Sequence, residues 1–354
     1  MSSTEYVTMA HGAGGAVMGE LIRQFILKHL GNTPSGAEVG LEALDDAAVI
    51  DGIVLKSDSH AVKPIFFPGG DIGRLSISGT VNDISCLGAE PFALACGFVL
   101  EEGLALADFE RILVSMRRTC DEAGAYVITG DTKVVERGSL GGCVINVSGI
   151  GRRTEALERN VAVVKQFRKS FVERWLLDSQ LKADDKIILS GTIGDHGLAV
   201  LSAQEGLSFG SGIVSDVKPL NKLVQKLLEM GGIVTLKDPT RGGLANALNE
   251  WSEKSRVGIL VYEERIPIRE DVKAACEMLG IDPLEVGNEG KLIIGVVEEK
   301  VEEVLAKLKT TKEGKDAQII GEATKQFHQV AMQTVVGGKR IISTPIGDPI
   351  PRIC

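Results

Sequence analysis

Aromatic residues are scarce in this chain of 354 residues, of which they make up only 4%, whereas 42 residues are glycine. The shortage excludes an interior built on Phe, Tyr and Trp, so Val, Ile, Leu and Ala must fill the core. The many glycines indicate tight turns and places where the backbone approaches another group closely. In other respects the composition, with 44% hydrophobic and 25% charged residues, is that of an ordinary globular protein.

Long apolar runs, basic clusters and paired cysteines are missing as well. No apolar run reaches the roughly 20 residues of a membrane-spanning helix, and the first residues lack the basic and apolar regions of a signal peptide. A net charge of −9 argues against a nucleic-acid partner. The six cysteines are scattered singly, without a C-x-x-C pair. We therefore expect a cytoplasmic protein with reduced thiols, no nucleic-acid partner and no membrane partner.

The length predicts two domains of about 150–180 residues each. Strand-like and helix-like periodicities alternate along the chain, which predicts an α+β (α/β) architecture. We place the domains at residues 1–154 and 155–343, followed by a flexible tail at 344–354, because three prolines and a glycine exclude regular structure there. In the first domain the pattern predicts strands at 47–50, 53–57, 93–100, 125–129 and 143–148, and helices at 71–87 and 108–123. In the second it predicts a connecting helix at 155–181, strands at 186–189, 292–297 and 317–320, and helices at 219–230, 240–252 and 300–308.

Five aspartates form the first candidate site: Asp45, Asp46, Asp58, Asp83 and Asp131. Asp58 and Asp131 are predicted at the carboxyl ends of strands, where α/β sheets gather ligands, and Asp83 interrupts the apolar stripe of a helix. Each aspartate alone is better explained as a turn or strand-end residue. Together they predict a Mg²⁺ site that carries a polyphosphate, because converging carboxylates repel one another unless a cation joins them.

Glycine-rich loops are the second feature, and they occupy residues 11–15, 69–73, 191–197 and 241–243. The loop at 69–73 opens a predicted helix, so its backbone N–H groups are suited to bind phosphate. No G-x-x-x-x-G-K-[ST] motif is present, which excludes a P-loop protein. Turns also use glycine for purely conformational reasons, and that explanation stays open for each loop.

Cys354 is the third feature, because it ends the chain on a tail of about 11 residues that extends at most ~35–40 Å. The other five cysteines lie in apolar patterns and are predicted to belong to the core. A terminal thiol gains nothing from burial, and tethering gives it an effective concentration of order millimolar near the chain's own cleft. We therefore predict that Cys354 is a carrier thiol.

An ordered set of motifs spans nearly the whole chain: residues 11–15 (HGAGG), 45–49 (DDAAV), 57–60 (SDSH), 67–73 (FPGGDIG), 79–83 (GTVND), 130–135 (GDTKVV), 194–197 (GDHG), 238–244 (DPTRGGL), 288–291 (NEGK) and 351–354 (PRIC). In these motifs the chain resembles the HypE family of [NiFe]-hydrogenase maturation proteins, within the aminoimidazole ribonucleotide synthetase-like (PurM-like) superfamily. The terminal PRIC motif separates it from aminoimidazole ribonucleotide synthetase, selenophosphate synthetase and thiamine-monophosphate kinase.

The resemblance implies a PurM-like fold and a homodimer whose amino-terminal domains pair into a β-barrel, with ATP and Mg²⁺ bound in a cleft. It also implies that the carbamoyltransferase HypF loads a carbamoyl group onto Cys354. ATP then drives dehydration of this group to a thiocyanate, and the cyanide passes to iron on the HypC–HypD scaffold.

The resemblance also implies roles for individual residues. Cys354, Lys133 and Glu289 would be catalytic, with Lys133 offsetting phosphoryl charge and Glu289 taking the amide protons. The residues that would bind Mg·ATP are Asp45, Asp46, Asp58, Gly70, Asp83, Asp131 and Asn288, and the aspartates among them would hold the metal.

Two alternatives remain open. One is a small-molecule ATP-dependent synthetase or kinase of the same superfamily, whose activity would survive Cys354→Ala. The other is a non-enzymatic adaptor that docks a partner through its Pro-rich tail, for which the five aspartates have no use.

Overall fold

The structure is a computed structural model, and it describes residues 6–207, 212–347, 349–350 and 353–354. It confirms the predicted α/β architecture, with one large sheet in each half of the chain. Within the described residues, no helix combines the length and the apolar character that crossing a bilayer demands.

The sheet of the first half has the strand order β1–β2–β3–β8–β6–β7, in which β6 and β7 are parallel and the other neighbours antiparallel. A short hairpin, β4–β5, lies outside it. The strands are β1 (Ala37–Val39), β2 (Ala48–Ile50), β3 (Ile53–His60), β4 (Phe66–Phe67), β5 (Gly70–Asp71), β6 (Glu90–Glu101), β7 (Tyr126–Val135) and β8 (Cys143–Arg152). The helices are α1 (Gly15–Leu21), which continues through a π turn at Ile22–Leu27 into α2 (Lys28–Leu30), then α3 (Ile72–Cys86), α4 (Leu106–Ala123) and α5 (Glu155–Phe167).

The sheet of the second half has the strand order β10–β12–β9–β13–β11–β14–β15. Its strands are β9 (Lys186–Leu189), β10 (Ile233–Lys237), β11 (Gly258–Tyr262), β12 (Ile293–Val296), β13 (Gln318–Thr324), β14 (Val330–Gln333) and β15 (Lys339–Ile341). The helices are α6 (Asp195–Glu205), α7 (Asn221–Leu228), α8 (Gly243–Ser255), α9 (Glu270–Leu279) and α10 (Val301–Lys309).

Helix α3 is the element that positions the site, and the prediction of a helix over residues 71–87 is confirmed. Asp71 caps its first turn, since its Oδ1 accepts hydrogen bonds from the backbone N–H of Gly73 (2.8 Å) and Arg74 (3.0 Å). All of its residues except Arg74 are buried. The side chain of Asn82 bonds the backbone of the second half, because it donates to the carbonyl oxygen of Lys218 and accepts from the N–H of Leu220. Helix α3 thus belongs to both halves.

Two strands run further than the pattern predicts. The pairing of β3 continues to His60, opposite Ile145, and that of β7 continues to Val135, opposite Glu101. The prediction that Asp58 and Asp131 end their strands is therefore wrong. Polar side chains interrupt the apolar run in both strands, but the backbone hydrogen bonds to the neighbouring strand persist.

The connection at residues 155–181 is not one helix, which corrects a second prediction. Helix α5 ends at Phe167, and the chain then runs without helix to a 3-10 turn at Asp178–Gln180. Trp175 and Leu176 in this non-helical stretch are both buried and belong to the hydrophobic core that the two halves share.

Candidate active site

Five carboxylates from both halves of the chain meet at helix α3, and we call this set the acidic cluster: Asp46, Asp58, Asp83, Asp238 and Glu289. Asp46 precedes β2, Asp58 lies on β3, and Asp83 lies on α3. Asp238 follows β10, and Glu289 precedes β12. The structure thus brings together three of the five predicted metal ligands and the predicted catalytic Glu289.

The negative charges of the acidic cluster act on one another. Burial, together with Asp58 and Asp46, raises the pKa of Asp83 to about 7, against the opposing effect of Lys56. Burial and the charges of Asp83 and Asp46 likewise raise the pKa of Asp238. The pKa of Glu289 is raised by burial and by Asp58, Asp216 and Asp83. Burial and mutual repulsion therefore both disfavour the charged forms of Asp83, Asp238 and Glu289.

Three cations offset part of this charge. Lys56 Nζ lies 2.5 Å from Asp83 Oδ2, and Lys237 Nζ lies 2.6 Å from Asp46 Oδ1. Burial opposes the charged form of Lys56, but Asp83 and Asp58 outweigh it and raise the pKa of Lys56. For Arg241, the charges of Cys354 and Asp58 raise the pKa.

The donor set of the acidic cluster fits a divalent cation. Asp46 and Asp238 each offer a carboxylate oxygen, and Cys86 its sulfur, within 4.8 Å of one another. Asp238 Oδ2 is buried without a hydrogen-bond partner. Carboxylate oxygens are the ligands that Mg²⁺ prefers, so Asp46, Asp58 and Asp83, with Asp238 beside them, are suited to hold it.

Asp45 points to a neighbouring network. Its Oδ1 accepts a hydrogen bond from the backbone N–H of Asp178 (2.9 Å). Asp178 in turn accepts from Lys237, Lys254 and Trp251. Burial and the charge of Asp178 raise the pKa of Asp45 to about 7. The role of Asp45 as a metal ligand stays a prediction.

Asp131 and Lys133 lie on β7, an exposed edge of the first sheet. Asp58 pairs with Val147 on β8, and the pairing continues through β6 to Gly130 on β7. Three strand spacings of about 4.8 Å put Asp131 roughly 14 Å from Asp58 within one chain. A single chain therefore does not bring Asp131 and Lys133 to the acidic cluster, and the roles of these two residues stay predictions.

Gly70 and Asn288, both predicted to contact the nucleotide, have structural partners within the chain. A Cβ at Gly70 would lie 2.7 Å from the Val217 side chain and 2.8 Å from the Phe67 ring. The Asn288 side chain accepts from the N–H of Gly194 (2.8 Å) and donates to the carbonyl oxygens of Pro239 and Val286. These contacts explain both residue types without a ligand, and their contact with nucleotide stays a prediction.

The end of the chain is docked beside the acidic cluster. Ile350 and Ile353 are buried, and Cys354 is half-buried. The charge of Cys354 acts on Arg241, which also interacts with Asp58, Asp83 and Glu289. Positions 348, 351 and 352 of the predicted flexible tail lie outside the described residues, and the excursions of the tail stay a prediction.

Sequence reasoning missed Lys56, Lys237, Asp238 and Arg241 as members of the site. Asp238 and Arg241 stand in the DPTRGGL motif, after the buried strand β10, and that position was the available signal. Lys56 lies two residues before Asp58 on β3. For Lys237 the sequence holds no signal, because its partner Asp46 is 191 positions away.

Comparisons with known proteins agree with this architecture. The family model for the AIR synthase related protein, N-terminal domain, matches residues 44–153, and that for the C-terminal domain matches residues 182–333. The chain is 47% identical to a putative hydrogenase expression/formation protein of Methanocaldococcus jannaschii, over 98% of this chain and 99% of the relative. It is 43% identical to the carbamoyl dehydratase HypE of Azotobacter vinelandii, over 98% and 97% of the two chains.

Solved structures show the same relationship. The crystal structure of a HypE–HypF complex matches with a TM-score of 0.82 and 43% identity, covering 92% of this chain and 99% of that one. A crystal structure of HypE in complex with ATP matches with a TM-score of 0.78 and 41% identity, covering 99% and 100%. Thiamine monophosphate kinase from Aquifex aeolicus shares the fold alone, at 19% identity and a TM-score of 0.60 over 92% of this chain and 99% of that one. The chain therefore belongs to the carbamoyl dehydratase HypE family of AIR synthase related proteins.

Proposed function

We propose that this chain uses Mg·ATP to dehydrate an S-carbamoyl group on its own Cys354, which leaves a thiocyanate as the source of cyanide for a [NiFe]-hydrogenase iron. The observation that carries the proposal is the docking of the tail: Ile353 is buried against Gly287, two residues before Glu289 of the acidic cluster, and the charge of the adjoining Cys354 acts on Arg241. A thiol-bound group at the end of the chain thus lies next to the residues suited to hold a metal-bound polyphosphate. A HypE relative crystallised with ATP supports the same ligand here.

The chemistry requires the carboxamide oxygen to become a leaving group. ATP supplies the phosphoryl group for that oxygen, and Mg²⁺ on Asp46, Asp58 and Asp83 would neutralise the polyphosphate. The carbon–oxygen bond then breaks, the nitrogen loses both of its protons, and the products are the thiocyanate, ADP and phosphate.

The residues of the chain have separate tasks in this reaction. The Arg241 guanidinium provides a fixed positive charge where negative charge builds on the transferred group. Glu289 is suited to take the amide protons in its ionised form. Because burial and neighbouring carboxylates raise its pKa, Glu289 reaches that form most readily after a cation joins the cluster and lowers this pKa.

We also propose a homodimer that forms through the first sheet. Strand β7 is an edge strand whose apolar residues Val127, Ile128 and Val134 are exposed, and such an edge is a template for pairing with another chain. A second copy would also bring its own Asp131 and Lys133 toward this chain, which gives these two residues a route to a nucleotide site.

HypF and the HypC–HypD scaffold are the proposed heterologous partners. A HypE relative crystallised as a HypE–HypF complex supports HypF as a partner. The proposed location is the cytoplasm.

The test is the mass of the C-terminal peptide. The chain is carbamoylated by HypF, freed of HypF and incubated with Mg·ATP. We expect the carbamoyl mass on Cys354, followed by loss of one water with formation of one ADP. Cys354→Ala must abolish the modification, and Cys354→Ser shows whether sulfur itself is required.

Two results would oppose the proposal. ADP formation without any change in the mass of the carbamoylated peptide would overturn it. Undiminished ATP turnover on a free small molecule by Cys354→Ala would favour the synthetase or kinase alternative.

A further inference from the structure

His196 joins the end of the chain to the body of the second half. It is the second residue of helix α6 and is fully buried. Its Nε2 lies 2.8 Å from the carbonyl oxygen of Ile353, and its Nδ1 lies 2.8 Å from Ser215 Oγ. The ring also packs edge-on against Phe67, with centroids 5.5 Å apart. Neither the metal site nor the proposed chemistry uses this histidine.

The hydrogen bonds fix which nitrogen of His196 carries the proton. A carbonyl oxygen only accepts, so Nε2 must donate to Ile353. In the neutral ring Nδ1 then accepts, and the Ser215 hydroxyl donates to it. Ser215 Oγ accepts in turn from the N–H of Val217 (3.1 Å), and the Ser215 N–H donates to the carbonyl oxygen of Pro68 (2.8 Å). We call the Ser215 hydroxyl and the His196 ring the relay. Each polar group in it has a hydrogen-bond partner, and the His196 Nε2–H donates to the tail.

Two glycines shape the groove in which the tail lies. A Cβ at Gly287 would be 2.5 Å from Ile353 Cδ1, and a Cβ at Gly197 would be 3.2 Å from Ile350 Cδ1. Both tail isoleucines are at most 2% exposed. The groove therefore fits the tail through its apolar side chains, whereas the His196 bond fixes the position of the tail along the groove.

We propose that His196 is a positioning residue, whose Nε2–H holds the Ile353 carbonyl and so keeps the thiol of Cys354, one residue further on, at Arg241 and the acidic cluster. Loss of this single buried hydrogen bond is expected to raise the undocked fraction of the tail about tenfold. The consequence for catalysis rests on the proposed function. The consequence for thiol access does not.

The first experiment measures thiol access. Cys86, Cys96, Cys120, Cys143 and Cys276 are buried, whereas Cys354 is half-buried, so iodoacetamide acts on the native chain mainly at one site that mass spectrometry can follow. We expect Cys354 to be alkylated about tenfold faster in His196→Ala than in the unaltered chain. His196→Gln should restore the slow rate, because its Nε2 amide is able to donate from a similar reach. Ser215→Ala retains the imidazole but frees its proton to move to Nδ1, and we expect an intermediate rate.

The second experiment follows dehydration of the carbamoylated chain in a single turnover. We expect His196→Ala to slow the step about tenfold at saturating Mg·ATP, with an unchanged apparent affinity for Mg·ATP and recovery in His196→Gln. If the unaltered chain shows no dehydration, the proposed function fails while the alkylation rates still judge His196.

Two outcomes would overturn the positioning role. In the first, His196→Ala keeps the near-UV circular dichroism and the alkylation rate of the unaltered chain. In the second, His196→Gln is alkylated as fast as His196→Ala, which would assign the effect to packing instead of the hydrogen bond. If His196→Ala does not fold, His196→Gln and Ser215→Ala decide, and unaltered access in Ser215→Ala then counts against the relay.

Discussion

Lys56 is the residue on which the charge balance of the acidic cluster depends most directly. Its ammonium group lies 2.5 Å from Asp83, both side chains are largely buried, and it also interacts with Asp58 and Asp46. Removal of one partner from a buried ion pair leaves a charge without compensation, which costs about 3–5 kcal/mol. The free energy of unfolding is therefore sensitive to this one lysine.

We predict that Lys56→Met lowers the free energy of unfolding by about 3 kcal/mol near pH 8 and by clearly less near pH 6. The folded-state pKa of Asp83 is already raised to about 7, and it rises further without Lys56. A carboxyl with a raised folded-state pKa contributes stability that is present at low pH and is lost as pH rises through that value. Below it, Asp83 is protonated and the loss of Lys56 leaves no unpaired charge. Urea unfolding at both pH values measures the difference.

Lys315→Met is the matched control, because Lys315 is 74% exposed and its partner Asp316 is its neighbour in sequence. We expect it to leave the unfolding free energy unchanged at both pH values. Equal destabilisation by Lys56→Met at the two pH values would contradict the assignment of the raised pKa to Asp83.

At this scale the sequence predicted the acids of the site better than its bases. Asp46, Asp58 and Asp83 were proposed from the spacing of the carboxylates along the chain, and Glu289 was implied by the family resemblance of its NEGK motif. Lys56 and Lys237 stand in ordinary strands, and only folding brings Lys237 to Asp46. A cation recruited from a distant strand leaves no local pattern.

The turn that leads into helix α1 contacts the tail and the site arginine. Gly15 has φ +72°, and a Cβ there would lie 2.1 Å from the carbonyl oxygen of Pro345, which also accepts a hydrogen bond from the N–H of Ala16 (3.0 Å). A Cβ at Gly14 would meet Arg241 at 3.0 Å. The HGAGG motif therefore contacts the base of the tail and the site arginine, which accounts for Gly14 and Gly15 without a phosphate.

We predict that Gly15→Ala speeds alkylation of Cys354 about tenfold, because the added methyl displaces Pro345 and removes the hydrogen bond to Ala16. Gly52→Ala is the matched control, since Gly52 has φ +75° but a Cβ added there would meet nothing within 4 Å. Backbone strain should lower the free energy of unfolding by about 1–2 kcal/mol in both variants, and the clash with Pro345 adds to this loss in Gly15→Ala. Iodoacetamide kinetics separate them, and equal alkylation rates in the two variants would remove the tail contact from the explanation.

Elements were predicted where their signal is local. Helices α3 and α4 follow a 3.6-residue apolar stripe and end just before Gly88 and Gly124, so both were found nearly to the residue. The ends of β3 and β7 depend on hydrogen bonds to β8 and β6, and the path after Phe167 depends on burial of Trp175 against the core. Those causes lie far away in sequence, and the pattern could not show them.

At the scale of the whole molecule, a single chain leaves the apolar side chains of edge strand β7 exposed to solvent. We predict that Ile128→Lys shifts the chain from dimer to monomer, because a buried lysine without a partner is costly at an interface. Ile128 is 72% exposed in the single chain. Leu106→Lys is the control, since Leu106 is 83% exposed and lies at the start of α4, not on strand β7. Sedimentation equilibrium gives the mass, and a monomer in the unaltered chain at every concentration would refute the dimer.

The architecture was predicted from alternating periodicities and the family from motifs that span the chain, and both are confirmed. The pairing of two chains and the domain limits at 154 and 343 stay predictions. The sequence of β7 shows that the strand is apolar. It does not show which second molecule covers the strand, because that contact depends on the surfaces of both molecules.

The apolar core beneath the site is shared between the two sequence domains. Val49, Val54 and Ile84 of the first belong to the same buried cluster as Ile187 and Ile294 of the second, and Asn82 bonds the backbone on the far side. Cutting the chain between the two sequence domains would expose apolar surface on both fragments. The two sequence domains are therefore not expected to fold independently, and neither half is expected to be soluble when expressed without the other.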